Sequence, residues 1–89
     1  SSWENLLDKL KEVLPSWEKS KEYDLYYEAH KRDIDKIISI MEDRIDNLSP
    51  IVTKMKNNEW LTDSENQYLD YDQQLGEQQE NLANKLNDL

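Results

Sequence analysis

Residues 34–55 read IDKIISIMEDRIDNLSPIVTKM, and within them Ile34, Ile38, Met41, Ile45, Leu48, Val52 and Met55 recur at alternating intervals of four and three. That interval keeps side chains on one face of an α-helix, so the stretch draws a single apolar seam. At roughly 100° per residue, Tyr26, Ile37, Ile40 and Ile51 fall to one side of the seam and widen the apolar surface. A face that wide needs more than one neighbour. It predicts an all-α fold: a three-helix, mostly antiparallel bundle organised around a long central helix.

Upstream, Tyr23, Tyr27 and His30 continue the seam, which places the central helix at about residues 21–57. Ser49 and Pro50 interrupt its backbone while the heptad register survives, so a bend at 49–50 is predicted rather than a reversal. Trp3, Leu6, Leu7, Leu10, Val13, Leu14 and Trp17 have helical spacing, and Ser1 with Glu4 has the spacing of a capping box. Pro15 restricts Leu14 and removes a backbone donor, so this first helix is expected over about 2–14, with a connection as far as Ser20. Downstream, residues 57–61 form a polar break, and Thr62 with Glu65 repeats the capping-box spacing. A third helix over 63–88 follows, with Tyr68, Tyr71, Leu75, Leu82, Leu86 and Leu89 on one face. Gln78 and Gln79 stand where another apolar pair belongs. Either that part of the helix is solvated, or a buried polar pair specifies register.

Composition agrees with one helical domain. The chain has 89 residues, 35% of them charged, one Gly, two Pro and no Phe, a balance that favours helix and leaves few ways to punctuate sheets. With no Cys, a disulfide framework and thiolate metal sites are excluded. No apolar run approaches the roughly 20 residues of a membrane span, and no signal peptide is evident, so no membrane partner and a cytoplasmic location are expected. The net charge of −9 argues against direct nucleic-acid binding, which needs a surplus of Lys and Arg. That charge is uneven. Residues 1–57 carry 12 acidic and 10 basic side chains, whereas residues 58–89 carry 8 acidic and one basic, Lys85.

Residues capable of chemistry are few. His30 has Glu28 and Asp33 nearby, but Glu28 and His30 are two apart and point to different faces of a helix. A histidine at the core boundary beside Tyr26 and Tyr27 is expected instead of a metal ligand. Asp70, Asp72, Gln74 and Gly76 resemble the start of a calcium loop, yet counting from Asp70 the sixth and twelfth positions are Leu75 and Asn81, where an EF-hand needs Gly and Glu. Asn47-Leu48-Ser49 matches a glycosylation pattern too short to carry weight. With no phosphate loop and no nucleophile paired with a base, neither an enzyme nor a cofactor is expected. The tyrosines and Trp3 and Trp17 are expected to supply core bulk, and Trp60, in the polar break, to be exposed.

These features predict a non-enzymatic interaction module: an adaptor, scaffold or regulatory subunit that binds another protein. Its expected contact residues are the flank Ile37, Ile40 and Ile51, together with Trp60. A second copy of the chain is one such partner, since heptads serve association as well as folding. The alternative is an acidic inhibitor or nucleic-acid mimic that presents Asp63, Glu65, Asp70, Asp72, Glu77 and Glu80 of its last helix to a basic surface.

Overall fold

A computed structural model describes residues 2–87, which form α1 (Ser2–Lys19), α2 (Asp24–Lys56) and α3 (Asp63–Asn87), with a 3-10 turn at Ser20–Glu22 between the first two. No strand occurs among the described residues. Ser1, Asp88 and Leu89 lie outside them, and with them the expected Ser1 cap and the end of the third helix. The bundle is a rod of 47 × 20 × 17 Å. Its length is that of α2, whose 33 residues span about 50 Å at 1.5 Å per residue.

The first helix runs through Pro15 instead of stopping at residue 14. An interior proline costs about 3 kcal/mol. Leu14 and Trp17 offset that cost by packing half-buried on the core, where a fully buried large apolar side chain is worth about 1.5–3 kcal/mol. The Ser16 hydroxyl donates to the Val13 carbonyl at 2.8 Å and helps close the turn around the proline. Tertiary packing therefore decides where α1 ends.

Within α2, helical torsions continue through Ser49 and Pro50, and the non-helical residue is His30 (φ −125°, ψ 16°). No Gly or Pro marks that position. Side chains hold the break: the Tyr27 hydroxyl reaches past it to both oxygens of Asp35 at 2.9 and 3.1 Å, and the Tyr26 ring lies 4.8 Å from that of His30. Burial first, and then the Asp35 carboxylate, raise the Tyr27 phenol above its ordinary pKa. At the expected bend, the Ser49 hydroxyl donates to the Ile45 carbonyl at 2.7 Å, a back-bond of the kind that accompanies helix bending.

Two local motifs set the α2–α3 turn. Asn58 has φ 55°, a left-handed conformation that Asn tolerates better than most residues. Around it the amide of Glu59 donates to the carbonyl of Lys54 at 2.9 Å, and that of Asn58 to Met55 at 3.2 Å. This is a Schellman cap. Thr62 and Glu65 then form the reciprocal capping box, with bonds of 2.9 and 3.1 Å. Glu65 also takes the Lys54 ammonium at 2.7 Å, and that ion pair, ahead of the bond from the Thr62 amide, holds its carboxyl below the usual carboxylate range.

Ile34, Ile37, Ile38, Met41, Leu48 and Val52 of α2 form the core with Leu7 and Leu10 of α1 and Leu86 of α3. The aromatic residues divide. Trp3, Trp17, Tyr27 and Tyr68 pack against this core, while Tyr23, Tyr26, Tyr71 and Trp60 are exposed. Both flanking helices run antiparallel to α2, α1 joined to its far end by Glu4 and Lys56 at 3.0 Å.

Candidate functional site

On α2 one charged side chain stands in the apolar flank formed by Ile37, Ile40, Leu48 and Ile51: Arg44, only 5% exposed. Its Nε and Nη2 donate to the two carboxylate oxygens of Asp72, each at 2.9 Å, and its Nη1 donates to Oε1 of Gln79 at 2.8 Å. A forked guanidinium–carboxylate pair has strict geometry as well as strength. Asp72 and Gln79 stand seven residues apart on α3 with Gly76 between them, where an added Cβ would lie 3.3 Å from Nη2 of Arg44. The one glycine of the chain thus leaves room for the guanidinium against the α3 backbone. Lys54–Glu65 and Lys85–Asp33 extend the same antiparallel register toward either end.

Above this brace lies a cleft. No Cα of α1 comes within 8 Å of one in α3 among the described residues, although packed helices normally sit about 8–10 Å apart, axis to axis. Between them is a half-open channel of about 630 Å³. Trp3, Leu6 and Val13 of α1 form an apolar wall, Glu77 and Glu80 of α3 an acidic one, and Gly76 with the Arg44–Asp72 pair lines the bottom. A shallower depression of about 360 Å³, lined by α2 and α3 alone, holds Tyr68 and Tyr71. Burial, assisted by the Asp43 and Asp72 carboxylates, pushes the Tyr68 phenol up to about 12. At the tips of the rod, Leu25 (90%) and Trp60 (96%) are almost fully exposed.

The sequence-predicted contact residues are dispersed by this arrangement. Ile37, Ile40 and Ile51 are buried, so this flank is interior: it is the surface against which α3 packs around Arg44. Asp72 is enclosed by Arg44 and unavailable to a ligand, and Glu65 is engaged in the α3 cap. Asp63 and Asp70 are exposed on α3, Glu77 and Glu80 line the cleft, and Trp60 stands free at the turn. His30 lies half-buried against Tyr26. Among the described residues no three His, Cys, Asp or Glu side chains gather as a metal site, and no helix is long and apolar enough to cross a membrane.

Arg44, Gly76 and the α1 wall escaped the sequence reading. A signal for the first was present: Arg44 interrupts an apolar flank, and Asp72 and Gln79 interrupt the facing seam in matching antiparallel register. Comparison with protein families, curated proteins and solved structures yields no match.

Proposed function

We propose that the chain is a non-enzymatic helical module that binds another protein through the cleft between α1 and α3. The cleft itself carries this reading, because it leaves an apolar wall of α1, from Trp3 to Val13, facing open space beside a well-covered core. Covering such side chains is favourable by about 25 cal/mol per Å² of apolar surface.

Site-specific photocrosslinking tests it. A crosslinking residue at position 13 in the cleft, compared with one at the exposed position 39 of α2, is used in extracts of the source organism, and products are identified by mass spectrometry. The expected result is one defined protein captured through position 13 and not through 39. Capture at equal levels through both positions, or through neither, overturns the proposal.

A second reading has support of its own in Asp63, Asp70, Glu77 and Glu80, four exposed carboxylates along one helix. They suit an acidic mimic that occupies a basic surface. On this reading a crosslinking residue beside Asp63, outside the cleft, captures the partner, and that capture weakens steeply between low and high salt.

A further inference from the structure

Building on the interaction-module proposal, we infer that the α1–α3 cleft receives one amphipathic helix whose apolar stripe is flanked by lysine or arginine. Three properties of the cleft select this occupant. The first is shape. Trp3, Leu6 and Val13 line it above the buried Leu10, the four at intervals of three and four, forming an apolar wall about 15 Å long at 1.5 Å per residue. That is three turns of a facing helix, with anchors at i, i+4 and i+7. A small ligand needs a pocket that surrounds it, and this channel is half open.

The second property is position. Both α1 and α3 lie along α2 with their backbones apart, and the channel between them runs where a further helix of a bundle packs.

The third is charge. Glu77 and Glu80 form the wall opposite the apolar one, and Asp70 continues their stripe toward the start of α3. The single basic residue of α3, Lys85, is turned to Asp33 at 3.2 Å, and at the bottom Arg44 is matched by Asp72. Lys9 of α1 is the one cation at the lip. A helix lying in the channel therefore meets grease on one flank and carboxylates on the other. A second copy of this chain would bring its own net charge of −9 to that acidic wall, which disfavours self-association there.

The probe is a fluorescein-labelled Leu/Lys amphipathic peptide of about 14 residues, long enough to cover the α1 wall. A Leu/Glu peptide with the same apolar stripe is its counterpart. Anisotropy titrations of the full chain are combined with amide chemical-shift mapping. The Leu/Lys peptide is expected to bind at least about tenfold more tightly than its counterpart, with shifts concentrated in residues 3–13 and 73–83. Glu77→Lys with Glu80→Lys is expected to weaken it by about tenfold or more. The control Asp24→Lys with Glu28→Lys reverses two exposed charges away from the cleft, and is expected to change affinity by less than about twofold. All four positions are exposed, and circular dichroism checks that the variants fold.

Equal losses in the two double variants overturn the inference, since attraction would then be diffuse. Shifts centred on Tyr23–Tyr26 or Trp60 overturn it too, as does the absence of shifts with either peptide. Each of these results leaves the broader proposal to be decided by the crosslinking experiment, which uses no designed peptide.

Discussion

Removing the Asp72 carboxylate is expected to be the most damaging single change on α3. Asp72→Ala takes away the acceptors of Arg44 Nε and Nη2 and leaves the guanidinium with Gln79 alone. The Arg44 side chain is only 6% exposed, so the lost hydrogen bonds are replaced only in part by water entering from the cleft. A guanidinium cannot shed its proton to escape, and breaking a buried ion pair from one side costs about 3–5 kcal/mol. At roughly 0.05–0.15 kcal/mol per residue, a chain of 89 residues is stable by about 4–13 kcal/mol in total. The substitution thus removes a large share of the whole. In urea, with a slope of about 1–2 kcal/mol per molar, the midpoint is expected to fall by about 1.5 M or more, or the chain to be unfolded at the outset. Replacing both partners, Arg44→Met with Asp72→Leu, removes the charges together and is expected to return stability to within about 2 kcal/mol of the parent. Together with the single variants Arg44→Met and Asp72→Leu, the double variant completes a coupling cycle. A cost for Asp72→Ala below about 1 kcal/mol, or a double variant as unstable as the two single changes added together, would refute the role given to this pair.

Gly76→Ala improves helix propensity by about 1 kcal/mol, but its methyl meets a guanidinium pinned by three hydrogen bonds; a net loss of about 1 kcal/mol is expected, turning to a gain in the Arg44→Met background, by urea titration. Thr62→Ala removes the hydroxyl that accepts from the Glu65 amide and is expected to cost about 1 kcal/mol, with the start of α3 losing amide-exchange protection first. Because the Tyr68 phenol is held up at about 12, the unfolded chain ionises there first; stability is full below pH ~10 and falls as pH rises toward ~12. Tyr68→Phe is expected to reduce that alkaline slope, leaving the part due to Tyr27, when urea midpoints are compared between pH 9 and 12. Trp60→Ala, at a fully solvated turn, is expected to move the melting curve by no more than about 0.5 kcal/mol.

The three-helix architecture was legible because one chemical fact, the interval between apolar residues, repeats through Ile34, Met41 and Leu48, through Leu6 and Val13, and through Leu75 and Leu82. The Thr62–Glu65 capping box was legible for a similar reason, since its two hydrogen bonds are local and need only the right residues three apart. Pro15 and His30 show where such rules fail. At Pro15 the local cost is real, but Trp17 can reach the core only if the helix continues, and a local rule carries no information about a residue that packs across the bundle. At His30 the reverse holds: the local sequence is permissive, and the break is held by Tyr27 reaching Asp35 eight residues on. Position 44 is a failure of another kind. Ile37, Ile40 and Ile51 read as a surplus apolar flank while Arg44 went unnoticed among them, because its partners lie on another helix and become visible only when the antiparallel register is known. The same register explains the polar gap in α3: Gln79 is there to accept from Arg44, whereas Gln78 is exposed. The cleft is harder still to foresee, because it depends on how far apart two helices sit, which no periodicity encodes.

Both flanking helices pack on α2 through apolar side chains, but α3 adds the buried Arg44–Asp72 pair where α1 has the solvent-facing Glu4–Lys56 pair. A forked guanidinium tolerates almost no sliding, so α3 keeps one alignment or pays heavily, whereas oily contacts such as those of Leu7 and Leu10 keep most of their strength through small shifts and rolls. α3 is thus the helix held to a single alignment by charge, and α1 the one whose hold on α2 is mainly apolar.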